Sequence, residues 1–259
     1  TDQADSNGDI SGNVFSPRAS VLYNLSESVQ LRSSFAKGYR APQIFDEDLH
    51  IETSGARQVI HENDPDLEQE NSHSATFSID LSQAFGRWQT QLLAEGFYTA
   101  LENPFTNQYG AADENGRVVY TRTNAEDGAK VQGINLEFNA SPGIRWMLQS
   151  GFTLQQSKYE SPQEFDERRF FRTPNSYGYL ALSYSPTESF KASLTGNYTG
   201  KMLVPYFGNT LDNPEAGQLN KVDPFFDFGL KVSQNLKLSD DFSVQLYAGA
   251  KNLFDAYQN

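Results

Sequence analysis

Cysteine is absent from the 259 residues, and histidine occurs only three times. The lack of cysteine excludes disulfide bonds, thiolate metal centres and cysteine nucleophiles. No apolar stretch reaches the roughly 18 residues that a membrane-spanning helix needs, which excludes a transmembrane helix. Basic residues are also scarce, since 20 Lys and Arg stand against 33 Asp and Glu. The net charge of −13 argues against nucleic acid as a partner, because phosphates attract cations.

The chain does contain a regular alternation of apolar and polar residues, which is the pattern of a strand with two different faces. In segment 74–81, for example, Ala75, Phe77, Ile79 and Leu81 fall on one face and polar residues on the other. The same alternation predicts ten strands, at 14–25, 29–40, 72–82, 88–101, 129–140, 145–159, 176–185, 190–200, 225–236 and 242–252.

The connections between these strands alternate strictly between short and long. The short ones contain turn-forming Ser, Pro, Gly and Asp, and lie at 26–28, 83–87, 141–144, 185–188 and 237–241. The long ones lie at 41–71, 102–128, 160–175 and 201–224. In bacterial outer-membrane barrels the turns are periplasmic, the loops extracellular, the apolar face meets lipid and the polar face a wet lumen. The predicted fold is therefore an all-β, antiparallel transmembrane β-barrel, a multi-pass protein of the Gram-negative outer membrane with lipid as a partner.

Five short motifs stand at the strand ends that this rhythm predicts. The first is Gly38-Tyr39-Arg40-Ala41-Pro42. The second contains Pro65-Asp66-Leu67, and it differs from the receptor box that it resembles by an inserted Asp64 and by Gln69 where that box has a proline. The others are Gly133-Ile134-Asn135-Leu136-Glu137, Arg172-Thr173-Pro174 and the C-terminal Asn252-Leu253-Phe254 with its flanks. In this order they resemble the sequence boxes of TonB-dependent outer-membrane receptors, and the resemblance covers essentially the whole chain.

The resemblance implies a barrel of about 22 strands that encloses a plug domain. We expect residues 1–259 to be part of one such barrel domain, with the plug, the segment that contacts TonB and the closing strand outside this chain. The implied function is TonB-dependent import of a scarce nutrient (a ferric siderophore, haem or cobalamin) bound at the extracellular mouth. No cofactor is expected, and no G-x-S-x-G elbow or other motif indicates an enzyme. A passive porin-type channel and a soluble β-sandwich binding module stay open as alternatives.

The loop 41–71 supplies candidate metal ligands and histidines. Asp46, Glu47 and Asp48 belong to a cluster of acids that could hold Ca²⁺ or attract a cationic ligand, although a solvated loop needs no such role. By resemblance to haem-uptake receptors, His50 or His61 could ligate haem iron, since imidazole is a common axial ligand. Two loop histidines can equally be incidental, so the metal assignment stays unknown.

Arg40 ends the second strand at the extracellular rim. Its guanidinium could bind an anionic siderophore through a bidentate hydrogen-bonded contact, or it could pair with the acidic loop that follows. Aromatic residues of the long loops could form the rest of a ligand-binding mouth, or pack the loops together; they include Phe105, Tyr109, Tyr120, Phe171 and Tyr206.

Overall fold

The computed structural model describes residues 14–42, 59–112, 118–206, 211 and 216–257. These residues form fifteen strands and a single 3₁₀ turn at Glu164–Asp166. The strands are β1 (Arg18–Ser26), β2 (Val29–Arg40), β3 (Val59–Asn63), β4 (Glu70–Phe85), β5 (Trp88–Glu102), β6 (Phe105–Ala112), β7 (Val118–Asn124), β8 (Ala129–Pro142), β9 (Trp146–Tyr159), β10 (Ser176–Tyr184), β11 (Phe190–Thr199), β12 (Met202–Tyr206), β13 (Gln218–Val222), β14 (Phe225–Lys237) and β15 (Ser243–Ala250). Within the described ranges, no helix has the length and apolar character to cross a membrane.

Ten strands form one antiparallel sheet in the order β1-β2-β4-β5-β8-β9-β10-β11-β14-β15. Each of them corresponds to one predicted segment, so the ten-strand prediction is confirmed, with boundaries that differ by a few residues. The largest difference is at the start of β1, which begins at Arg18 instead of residue 14, and β4 runs on to Phe85 instead of ending at residue 82. In the described part of the chain the sheet is open, with β1 and β15 at its edges.

The long connections contain strands that the alternation did not predict. Strands β3, β7 and β6 form a three-stranded sheet in which β3 runs parallel to β7, and β12 pairs with β13 as a hairpin. These strands belong to the long connections and not to the ten-stranded sheet. We refer to β3, β7 and β6 together as the loop sheet.

The two faces of the ten-stranded sheet differ as predicted. On β4, the outward Phe77 is 50% exposed, whereas its lumen-side neighbour Ser78 is only 7% exposed. The buried apolar residues of the described chain are small, namely Pro104, Ala125, Ala129, Ala140 and Val222. A soluble sandwich would bury its large apolar side chains between two sheets. This sheet instead exposes them along one face, as a lipid-facing surface requires.

The connections keep the predicted asymmetry. At one end of the sheet β4 joins β5 through residues 86–87 and β8 joins β9 through 143–145. Gly86 and Gly143 adopt φ of 60° and 83° there, a left-handed conformation that glycine takes without a Cβ clash. At the other end the connections 41–69, 103–128 and 200–224 hold the additional strands. We call this second end the loop end, because in bacterial outer-membrane barrels the long loops lie outside the cell.

Candidate ligand-binding mouth

The lumen side of the loop end begins at the meeting point of β2 and β4. Arg40 and Glu70 are cross-strand partners, so the last residue of β2 lies beside the first of β4. The Glu70 carboxylate accepts a hydrogen bond from the backbone N–H of Phe105 at 3.0 Å. This bond attaches the start of β6, and with it the loop sheet, to the rim of the large sheet.

Two arginines flank the ring of Phe105. The Cζ of Arg40 lies 5.1 Å from the ring centroid, and that of Arg122 lies 5.9 Å from it. Arg122 is only 9% exposed. The Tyr159 hydroxyl also donates to the Phe105 carbonyl at 3.0 Å, which holds the backbone at this residue. A cation close to an aromatic face is attracted by the ring quadrupole, so this cluster concentrates positive charge around an apolar plane.

The loop sheet brings together three residues that the sequence singled out. His61 of β3 is the register partner of Tyr120 in β7, and Tyr120 is the partner of Tyr109 in β6. Their backbones therefore form one row across the loop sheet. The described structure does not include the side chains of His61 and Tyr109. The predicted candidates His50, Asp46, Glu47 and Asp48 lie outside the described residues.

The second motif forms a turn that anchors the loop sheet. The Asp64 carboxylate accepts the Asp66 N–H at 2.8 Å, its carbonyl accepts the Leu67 N–H at 3.0 Å, and the Asp64 N–H donates to the Arg122 carbonyl. Pro65 lies in the middle of this turn, where its fixed φ is favourable. The motif thus holds the buried end of β7 in place.

Asn124 ties the same region to the next loop. Its side-chain amide donates to the carbonyls of Glu68 and Asn103, and its oxygen accepts the Glu68 N–H at 2.7 Å. Asn103 in turn donates to the Glu68 carboxylate at 2.8 Å. Sequence reasoning did not single out Arg122 or Asn124, and it counted Glu70 only among the acids of the loop 41–71 and in the second motif. The contacts of Arg122 join segments that are far apart along the chain, so no local pattern indicated them.

Phe171 and Tyr206 lie in a different part of the loop end. Phe171 packs edge-on against Phe165, with 5.9 Å between the ring centroids. Tyr206 ends β12 and is 39% exposed. The two segments are joined by a hydrogen bond from the Arg172 N–H to the Leu203 carbonyl at 2.7 Å. The predicted aromatic residues are therefore split between two regions instead of forming one cluster around Phe105.

The other motifs have structural roles at strand ends. Gly38 faces Ser72 across the strands, and a Cβ there would come within 2.7 Å of the serine hydroxyl. The Asn252 side chain bonds both the N–H and the carbonyl of Ala256, while the Asn252 N–H donates to the Asp227 carboxylate at 2.9 Å. Phe254 stands edge-on to Phe228 at 5.5 Å. The remaining motif residues are at the same two strand ends, namely Tyr39, Ala41, Pro42 and Leu253.

Hydrogen bonds and burial shift the pKa values of three glutamates in the loop 160–175. A hydrogen bond from Arg169 lowers the pKa of Glu167 to about 2. A bond from Lys130 lowers the pKa of Glu160, whereas burial raises the pKa of Glu164. Within the described ranges, no three or more His, Cys, Asp or Glu side chains converge as a metal site.

Comparison with known proteins identifies the architecture. The family model described as "TonB dependent receptor-like, beta-barrel" matches residues 1–253. A mutant of the ferric enterobactin receptor PfeA of Pseudomonas aeruginosa, in complex with enterobactin, superimposes with a TM-score of 0.63 at 18% identity, covering 95% of this chain and 36% of that one. The siderophore receptor PirA of Acinetobacter baumannii superimposes with a TM-score of 0.62 at 16% identity, covering 93% of this chain and 37% of that one.

The ferric-catecholate import receptor Fiu of Escherichia coli K12 superimposes with a TM-score of 0.58 at 16% identity, covering 92% of this chain and 30% of that one. The chain thus spans about a third of the length of these solved structures. At such identities the likeness shows a shared fold. The chain matches no curated relative in sequence.

Proposed function

The chain belongs to the TonB-dependent receptor-like β-barrel family, and we propose that its protein is a receptor for an anionic ferric complex, which it imports across the outer membrane. Family membership confirms the predicted fold class and the outer-membrane location, and the family consists of transport receptors instead of enzymes. The soluble-sandwich alternative is wrong, because the sheet exposes its apolar face.

The observation that carries the proposed ligand class is the pair of arginines around Phe105. Ferric catecholate complexes are anionic and present flat aromatic rings, so cations and an aromatic plane complement both features. The Arg122 side chain is largely withdrawn from water, and a charge–charge contact is stronger in such a place than on an open surface. The likeness in fold to receptors named for enterobactin, siderophores and ferric catecholates supports the same class.

The proposal extends to the whole receptor. Residues 1–259 would form part of one barrel domain, closed by strands outside this chain, because an open sheet edge in lipid leaves backbone groups without hydrogen bonds. The polar lumen face would hold a plug, and TonB would act on that plug to open the path. A passive porin, by contrast, needs no high-affinity ligand and no energy coupling.

Ligand binding by the full-length receptor tests this proposal. Ferric enterobactin is titrated against intrinsic fluorescence, with a neutral ferric hydroxamate as the second probe. Because a hydrogen bond to a charged group is worth about 1.5–3 kcal/mol, Arg122→Gln should weaken ferric enterobactin binding by roughly 10- to 100-fold. Arg145→Gln serves as the matched control, since it removes the same charge at the short-turn end and should leave binding unchanged.

Two results would contradict the proposal. One is a wild-type receptor that binds neither iron complex. The other is an equal loss in the Arg122→Gln and Arg145→Gln variants, which would mean that overall charge, and not the cluster around Phe105, governs the affinity. Tighter binding of the neutral hydroxamate would keep an iron receptor but reject the anionic class.

Haem is a second candidate because His61 shares its row with Tyr120 and Tyr109. Histidine and tyrosine are both known axial ligands of haem iron. A haemin titration followed in the Soret band should then show a saturable shift that His61→Ala abolishes. His73→Ala is the control, because His73 lies on the outward face beside Glu102. A shift that neither substitution changes would reject haem ligation by this row.

A further inference from the structure

A row of basic residues crosses the outward face of the sheet at its loop end. Its members are direct cross-strand partners, since each opposes the next in the antiparallel register of β2, β4, β5, β8 and β9, and the last pairing is an isolated bridge to the loop 160–175. The row reads Lys37, His73, Ala100, Lys130, Lys158 and Arg169, and every member except Ala100 is basic. We call it the basic row.

The basic row lies on the same face as the lipid-facing residues. Residues two apart in a strand share a face, and four residues along β2, β4, β8 and β9 lead from the row to Ser33, Phe77, Ile134 and Leu154. Three of these four are large, exposed and apolar. At about 3.3 Å per residue, the surface changes from apolar to basic over roughly 13 Å. This is the transition from acyl chains to charged head groups at the edge of a bilayer.

The basic row carries more positive charge than its neighbours neutralise. Lys130 and Lys158 stand directly opposite each other, and like charges so placed destabilise a sheet. Three members of the row are paired with acids: Lys130 with Glu160 at 2.9 Å, His73 with Glu102 at 3.5 Å, and Arg169 with Glu167. Among the described residues, neither Lys37 nor Lys158 has a carboxylate partner. In a chain with a net charge of −13, this local surplus indicates an external anion.

The row continues into a cavity that joins positive charge to an apolar surface. Arg169, Lys201 and Lys221 line this cavity of about 350 Å³. Arg169 and Lys201 are paired with Glu167 and Asp223, whereas Lys221 has no carboxylate partner in the described part of the chain. Tyr198 and Pro224 are shared with an adjacent groove of about 830 Å³ on the outward face. That groove is lined mainly by apolar residues, including Phe152, Phe226 and Phe228.

We propose that the basic row and this cavity bind a phosphate-bearing lipid of the outer leaflet, with its phosphates on the cations and an acyl chain in the groove. The loop end lies on the extracellular side of the membrane, so the lipid comes from the outer leaflet. Charge complementarity and continuity with the lipid-facing surface identify the occupant. The binding surface is separate from the ligand-binding mouth, which lies on the lumen side, so it does not depend on the identity of the imported ligand.

Lipid binding to the delipidated full-length receptor tests the proposal. The probe is bisphosphorylated lipid A in nanodiscs of phosphatidylcholine, compared with monophosphoryl lipid A and detected by native mass spectrometry. The row variant combines Lys37→Gln, Lys130→Gln and Lys158→Gln. A lysine near an anionic membrane surface contributes about a factor of five in binding, so we expect a loss of roughly 100-fold. The matched control removes three cations from the lumen face by Arg32→Gln, Lys191→Gln and Lys231→Gln, and should lose less than about threefold.

Equal losses in the row and lumen variants would overturn the proposal, and so would unchanged binding in the row variant. Displacement of the lipid by an equal concentration of inorganic phosphate would overturn it as well, because it would show a site for free anions. Heat-modifiable electrophoretic migration reports whether each variant is folded. If the row variant does not fold, Lys158→Gln alone serves instead, since this lysine has no described ion pair to lose, and its expected loss is about fivefold.

Discussion

The outward and lumen faces of the ten-stranded sheet are built from the same strands, yet they differ in which side chains are exposed and which form hydrogen bonds. Phe77 points out and is half exposed, while the adjacent Ser78 points in and is almost fully buried among its neighbours. On the lumen face hydroxyl and amide side chains bond one another, as Asn135 does with Glu95 and Thr153. On the outward face large apolar side chains stand without such partners. Burial in this sheet therefore does not indicate a hydrophobic core, but a polar layer that faces water and the contents of the barrel.

The largest expected effect comes from placing a charge on each face in turn. Phe77→Asp should impair assembly of the full-length barrel by roughly 2 kcal/mol, because a charged side chain is costly within the acyl-chain region. Ser78→Asp should cost much less, since it places the same charge beside the register partner Arg32. The fraction of heat-modifiable, folded receptor recovered from membranes measures both. If the two variants assembled equally, the assignment of the faces would be wrong.

Glycine substitutions give the next largest effect and compare the faces through packing. A Cβ on Gly133, on the lumen face, would lie 2.2 Å from the Leu154 carbonyl oxygen and 2.7 Å from the ring of Phe97. A Cβ on Gly96, on the outward face, would meet nothing within 4 Å. Overpacking costs about 1–3 kcal/mol, so Gly133→Ala should lower the guanidinium midpoint of the folded receptor. Gly96→Ala should leave it within error, and a loss at Gly96 comparable to that at Gly133 would count against the faces as assigned.

The ten strands could be predicted because each carries a local signal, the alternation of an apolar and a polar face. The loop sheet could not, because its strands lack an apolar face towards lipid. The parallel pairing of Val59–Asn63 with Val118–Asn124 joins segments that are far apart in the chain, and no local pattern encodes such a pairing.

The candidate site shows the same limit. Arg40 could be selected from its position at the end of a strand, and Phe105 from its aromatic ring in a loop. Their contact, and the contribution of Arg122, depend on the Glu70 carboxylate that holds the start of β6 against the rim. Arg122 lies between threonines and reads as a solvated loop residue, yet it is buried. Long-range hydrogen bonds build this part of the mouth, so the types of residue could be anticipated but not their arrangement.

The smallest expected effect concerns single hydroxyl groups on neighbouring residues of β2. Ser34 faces the lumen and shares a hydrogen bond of 2.7 Å with the Thr76 hydroxyl, whereas Ser33 faces outward opposite Phe77. A typical hydrogen bond contributes about 0.5–1.5 kcal/mol, so Ser34→Ala should lower the free energy of unfolding by about 1 kcal/mol. Ser33→Ala removes a hydroxyl from a lipid-facing surface and should be neutral or slightly stabilising. Guanidinium titrations of the two variants under identical conditions measure this difference, and the opposite order would show that the hydroxyl ladder on the lumen side is not what stabilises these strands.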